Sequence, residues 1–236
     1  MKNRVILASV VAFTLVAASV KAQTIAQWTF ESQVTTNIVE GAGVSSPLLT
    51  PETGTGAANG VHATAATYSF PAGDVDPTLA PSITTSSHSF SANGWSVGDY
   101  FQFSTSTLGS SGVQVGWDQT GSNTGPRDFQ LSYSLDGGST FTVPGSTYSL
   151  AFFSWIATAT LGNNESQTFG GAIDNQASVI FRISDMSTTS INGGAIGVAG
   201  TDRVDNFTVF AVPEPSTVAL VGAGLIGMLA MRRRRS

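Results

Sequence analysis

Hydrophobic and polar residues alternate along much of this chain with a period of two, in short runs. Phe129, Leu131, Tyr133 and Leu135 point one way while Gln130, Ser132 and Ser134 point the other, the pattern of a half-buried antiparallel strand. Val113, Val115 and Trp117 repeat it. Tyr100 to Ser106, Leu150 to Ile156, Val179 to Ile183 and Arg203 to Phe210 are further β-type runs bounded by Gly, Asn, Asp or Ser, and Thr24 to Phe30 is a first strand. From Gly41 to Gly60 the Gly, Thr, Ala and Pro content predicts a long loop with little regular structure. No window carries 3.6-residue amphipathicity long enough for a substantial helix. Many short strands and long connections predict an all-β fold, an antiparallel β-sandwich with Greek-key or jelly-roll connectivity, with a closed barrel second.

Two continuous apolar runs interrupt this pattern, one near each end. Lys2 and Arg4 precede Val5 to Ala18, and Val20-Lys21-Ala22 places small residues where a signal peptidase reads, so residues 1–22 are expected to be a secretory signal cleaved before Gln23. At the other end, Val218 to Met231 holds no charge. As a helix it would extend about 21 Å, short of the roughly 30 Å hydrocarbon core, a gap that bilayer thinning and snorkelling arginines close. A single membrane helix over 217–231 followed by Arg232, Arg233, Arg234 and Arg235 would keep the terminus in the cytoplasm and everything before Pro213 across the membrane. Gly222, Gly224 and Gly227 spell a dinucleotide-binding pattern, but too few residues follow for a βαβ unit, and small residues in a membrane helix are the better reading. One β-domain is thus expected over 23–211, with the tail at 212–236.

The tail, with Pro213-Glu214-Pro215, one short apolar helix and a terminal arginine cluster in that order, resembles the PEP-CTERM sorting signal of Gram-negative bacteria. The resemblance covers about a tenth of the chain. It implies recognition by a membrane-embedded exosortase, removal of the tail, and release or surface attachment of the rest, in organisms that make an exopolysaccharide matrix. A C-terminal anchor that is never cut is the rival reading.

Without the ends the charge balance changes. Three arginines, Arg127, Arg182 and Arg203, face fourteen carboxylates between residues 23 and 211, a formal charge of −11 with no lysine. Such a surface repels nucleic acid and anionic lipid; it serves solubility or binds cations. There is no cysteine, so disulfides and thiolate chemistry are excluded, and two histidines are too few for a zincin or three-histidine metal site. No nucleophile elbow or phosphate loop is present. Asp99, Asp118, Asp128 and Glu165 are the carboxylates from which a glycosidase pair would come, and no pair among them stands out.

Three local patterns carry candidate chemistry. Ser134 to Phe141, with Asp136-Gly137-Gly138, specifies a tight hairpin. It resembles a single Asp-box, in which Asp136 would bond turn amides and Phe141 pack beneath them. Gly200 to Val209 resembles the closing strand, and Trp28 to Ser32 the opening strand, of secreted bacterial jelly-roll modules, some of them carbohydrate-binding. That resemblance implies adjacent first and last strands, bringing Glu31 and Asp205 together as oxygen ligands for Ca²⁺; the alternative is that Asp205 and Asn206 only end a turn. Trp28, Trp95, Trp117 and Trp155 invite sugar stacking against core packing, and Trp95, in a loop-like stretch, is the one most expected to be exposed.

The expectation is a non-enzymatic exported protein: inner membrane as precursor, then cell surface or extracellular matrix. Its partners would be signal peptidase, exosortase and exopolysaccharide, and not nucleic acid. The alternative is a carbohydrate-binding or glycoside-hydrolysing module on the same scaffold.

Overall fold

The computed structural model describes residues 22–33, 36–74, 87–152, 155 and 163–212, so the expected signal peptide, the Pro213-Glu214-Pro215 motif, the membrane helix and the arginine cluster lie outside the described residues. Among the described residues there is no helix. Thirteen strands are present: β1 (Gln23–Trp28), β2 (Ile38–Glu40), β3 (Thr53–Gly54), β4 (Ala57–Val61), β5 (Ala66–Ser69), β6 (Phe90–Ala92), β7 (Tyr100–Thr105), β8 (Val113–Gly121), β9 (Asp128–Ser134), β10 (Tyr148–Ser149), β11 (Asn163–Thr168), β12 (Val179–Asp185) and β13 (Asp202–Ala211). They form two antiparallel sheets. Sheet one runs β11-β8-β13-β6-β5-β2, with β1 also on β13 and β3 on β1; sheet two runs β10-β9-β12-β7-β4. From β6 to β9, and again from β10 to β13, each strand crosses to the opposite sheet, which is jelly-roll-like connectivity.

The inward positions of the two sheets meet in an aromatic core. Phe207 of β13 stacks on Phe103 of β7 with ring centroids 3.8 Å apart and planes 5° from parallel. Trp28 of β1 meets Phe103 edge-on at 5.4 Å, Phe90 of β6 meets Phe101 of β7 at 4.9 Å, and Phe181 of β12 lies 5.8 Å from Phe207. With no cysteine in the chain and no helix among the described residues, burial of these rings is the main source of the β-domain's stability.

The β-type runs located β7, β9, β12 and β13 to within a residue or two of each end. Val113, Val115 and Trp117 are all buried, as expected, on a β8 that extends to Gly121. Three expectations need correction. Leu150 to Ile156 is not a strand over residues 150–152; only Tyr148 and Ser149 pair with β9, and Ala151 and Phe152 turn outward. The stretch from Gly41 to Gly60 contains β3 and most of β4, whose pairing with β7 along Ala57 to Val61 supplies the order its composition hides. Leu135 is 44% exposed, because β9 ends at Ser134 and the turn rotates the next side chain away from the core.

The first and last strands do lie side by side. β1 pairs with β13 from Gln23↔Ala211 to Trp28↔Phe207. On the same edge of β13, β6 pairs only with Asp202 to Val204. Asp205 and Asn206 fall in the gap between β1 and β6. On the opposite edge a bulge separates Asp205↔Asp118 from Thr208↔Gly116.

Candidate functional site

The bulge places polar side chains where a regular strand would not. Asn206 has φ +53°, a conformation that Asn tolerates better than most residues. Asp205 Oδ2 accepts the Asp74 amide at 2.8 Å, and Oδ1 accepts the Asn206 amide at 2.7 Å. The Asn206 Nδ2 donates to Asp118 Oδ2 at 2.6 Å and to the Asp74 carbonyl at 2.9 Å. Asp74, Asp118, Asp205 and Asn206 are all fully buried. The Asn206 Oδ1 accepts no hydrogen bond, which leaves one buried acceptor oxygen beside two carboxylates that are cross-strand partners.

Glu31 has other partners. Its Oε1 accepts the amides of Ser87 at 2.7 Å and His88 at 3.0 Å, and the carboxylate is 33% exposed. Among the described residues, no group of three or more His, Asp or Glu side chains is arranged to hold a metal ion. Two carboxylates with an amide oxygen are a smaller oxygen donor set, of a kind that suits a hard cation such as Ca²⁺.

All four tryptophans are buried, Trp95 included at 6%. Its ring packs against His62 at 4.4 Å, Phe101 at 5.1 Å and Phe129 at 5.6 Å, and its Nε1 donates to the Ala92 carbonyl at 2.8 Å. Core packing, the rival of sugar stacking at Trp95, is what the structure shows: the loop folds the indole back between the sheets, and Trp95 also lines a cleft of about 370 Å³ with Thr64 and Val198. The Asp-Gly-Gly turn forms as expected. Asp136 accepts from the Thr140 amide at 2.9 Å, the Thr140 hydroxyl at 2.6 Å and the Ser134 hydroxyl at 2.7 Å, bonds that hold its carboxyl well below the usual range. Gly137 and Gly138 take φ +74° and +91°, values that favour glycine. Tyr133 bridges Thr142 to close the hairpin.

Inside the sandwich two further acids are wholly buried. Asp202 Oδ2 accepts Gln119 Nε2 at 3.0 Å, and Gln119 Oε1 accepts the Tyr148 hydroxyl at 2.6 Å and Trp117 Nε1 at 3.2 Å. Asp185 Oδ1 accepts the Ser187 amide at 3.0 Å. Burial raises the Asp185 carboxyl to about 6, with Asp99 and Asp128 adding to the rise, and burial pushes Asp202 well above the usual range.

The outward face of sheet two is a surface of different character. The register aligns Asn59, Gln102, Arg182 and Ser132 in one row across β4, β7, β12 and β9. Four strands place such a row over roughly 14 Å. Arg182 is fixed at its centre, with its guanidinium 4.0 Å from the Tyr100 ring, 4.0 Å from the Phe141 ring, and its Nε donating to Gln102 Oε1 at 2.9 Å. Gln102 in turn donates to Asn59 Oδ1 at 3.4 Å. None of these four residues was among the sequence candidates. The signal was present in the polar half of the alternation, Tyr100, Gln102 and Ser104 against Phe101 and Phe103.

A family model described as the PEP-CTERM protein-sorting motif matches residues 211–235, spanning Pro213-Glu214-Pro215 and the arginine cluster. The chain carries a PEP-CTERM sorting motif. This motif implies export and exosortase processing, with a surface or extracellular destination. No curated protein matches the chain. Solved structures similar in fold include the K1 cleaved adhesin domain of Lys-gingipain from Porphyromonas gingivalis W83, at 14% identity, TM-score 0.33, covering 75% of this chain and 98% of that one. TmCBM61, solved with β-1,4-galactotriose, is similar at 13% identity, TM-score 0.31, with 78% and 94% covered. The CBM22-1 and GH10 modules of Clostridium thermocellum xylanase 10B, solved with xylohexaose, give 11% identity, TM-score 0.34, and 62% and 25% covered. At these TM-scores, what those proteins bind stays with them.

Proposed function

We propose that this chain is a non-enzymatic protein of the cell surface or extracellular matrix, delivered through its PEP-CTERM tail and associated there with exopolysaccharide. The observation that carries the glycan association is the outward face of sheet two. Its amides, hydroxyls and aromatic rings are ordered by their own contacts before any ligand arrives, so little conformational entropy is lost on binding a hydroxyl-rich polymer. The four carboxylates considered for hydrolysis support the non-enzymatic reading by their engagements. Asp99 caps the Ser96 and Ala63 amides, Asp118 takes Asn206 and Asp128 is held by Arg127, which leaves Glu165, on the edge strand β11, with no unengaged carboxylate among the four to complete a pair. Full-length protein in detergent, incubated with polysaccharide from the producing organism, is expected to be retained on the polymer without new reducing ends. Reducing ends would establish the hydrolytic alternative, and lack of retention would refute association.

A second reading concerns calcium. The buried acceptor oxygen of Asn206 favours a cation held by Asp205, Asp118 and Asn206, which are fully buried together, whereas the Glu31 carboxylate is one third exposed and binds the amides of Ser87 and His88. Binding only to the folded state at about 100-fold above Kd would stabilise by roughly 2.7 kcal/mol. Thermal melts of wild type and Asp205→Ala, with Ca²⁺ and with Na⁺ at matched ionic strength, are expected to show a calcium-specific increment in the wild type alone. An increment that survives the substitution would remove the site.

A further inference from the structure

We propose that the outward face of sheet two selects an acidic, uronate-bearing polysaccharide, with Arg182 as the residue that reads the carboxylate. This rests on the glycan-associating reading above and names the ligand class. The three arginines between residues 23 and 211 are used differently. Arg127 forms a two-point pair with Asp128, its Nε and Nη2 each 3.0 Å from a carboxylate oxygen. Arg203 is half-buried, with Nη1 donating to the Ala72 carbonyl at 3.0 Å and the guanidinium over Trp155. Arg182 and Arg203 are both without a bonded carboxylate among the described residues, but Arg203 lies in the field of Asp202 and Asp205, whereas no carboxylate acts on Arg182. Only its Nε is engaged, with Gln102, while two rings clamp the guanidinium plane.

The Nη1 and Nη2 donors of Arg182 make no hydrogen bond to the described residues. A planar fork with fixed orientation matches the two oxygens of a carboxylate, and pre-ordering by Tyr100, Phe141 and Gln102 removes most of the side-chain entropy that binding would otherwise lose. Charge complementarity points the same way. Although the segment from 23 to 211 carries fourteen carboxylates, the only acidic residue on the outward positions of β7, β9 and β12 is Asp128, and Arg127 neutralises it. An acidic polymer would be repelled by the rest of this surface and accepted at this strip. Along the row, Gln102 and Ser132, both partly exposed, offer amide and hydroxyl groups on either side of the arginine, while buried Asn59 supports Gln102 from behind.

The test uses full-length protein in detergent and two forms of one polymer, polygalacturonate and the same material with its carboxyls reduced to alcohols. Wild type is expected to bind the acidic form at least tenfold more tightly, with the difference shrinking as salt rises. Arg182→Gln is expected to cost far more affinity for the acidic form than for the reduced form, closing most of the gap between the two. Arg182→Lys is expected to recover only part of the loss, since it restores charge without the fork. Unchanged melting temperatures would show that the variants fold. Equal affinity of wild type for both polymers, or full affinity in Arg182→Gln, overturns the inference and leaves glycan association standing. Absence of binding to either polymer also overturns the inference, and retention on the producing organism's own polysaccharide then decides separately whether glycan association stands.

Discussion

Phe207→Ala is expected to lower the stability of the β-domain by about 3 to 5 kcal/mol, enough to unfold a marginal domain of this size. Phe207 is fully buried at the point where the sheets meet, stacked on Phe103, 5.9 Å from Trp28, 6.2 Å from Trp117 and 5.8 Å from Phe181. Truncation removes one member from four ring contacts and leaves a void bounded by large, stiff side chains, which collapse poorly around it. Phe152→Ala is the comparison. That ring is 48% exposed, so its loss is expected to change stability by no more than about 0.5 kcal/mol. Urea melts of the two variants measure the contrast, and a cost below about 1 kcal/mol for Phe207→Ala would show that the core does not depend on this stack.

Asp185→Asn is expected to remove a pH dependence. The Asp185 carboxyl has an ordinary value of 3.8 and rises to about 6 in the folded chain, so between those values the native state holds more protons than the unfolded one. Stability therefore falls as pH rises through that window, and the loss is complete above pH 6. The shift corresponds to roughly 3 kcal/mol, or about 2 kcal/mol once solvent screening is allowed for. Asparagine keeps the oxygen that accepts the Ser187 amide while discarding the charge. The variant should match wild type near pH 4 and exceed it in melting temperature at pH 7. Asp128 and Asp136, whose carboxyls are lowered, bend both curves the other way, so the quantity to read is the difference between the two proteins. A difference that does not grow between pH 4 and 6 would mean that Asp185 is solvated.

What could be read from the sequence follows from how much of each strand's order is local. β7, β9 and β12 were legible because each alternates over at least six residues and buries one face, and β13 because its Phe and Val residues form a β-type run, although it is buried on both faces. β11, Asn-Asn-Glu-Ser-Gln-Thr, has no apolar residue at all and is a strand because Asn163 to Thr168 pair with Gln119 to Gln114 on β8. β2, β3, β6 and β10 are two or three residues long, too short for any periodicity. At the bulge, Asp205 was recognisable as an oxygen ligand, but Asp118 as its cross-strand partner depends on register across about 90 residues of chain. Arg182 was passed over for a similar reason: in sequence it stands between Phe181 and Ile183, and only pairing brings Tyr100 and Gln102 to it. Trp95 is the opposite case, since Gly94 beside it suggested a loop and the loop covers its own aromatic.

The position of β13 has a mechanical consequence. It is an interior strand, bonded along one edge to β8 and along the other to β1 and β6, and the segment leading to residues 211–235 leaves directly from its end. Tension applied through that segment acts along the strand axis. The ladder bonds lie across that axis, so β1 and β8 share the load along their length and must slip together, whereas a strand peeled sideways would release its bonds one at a time. A protein held by its C-terminal side against a moving polymer is thus gripped in shear by its most heavily paired strand.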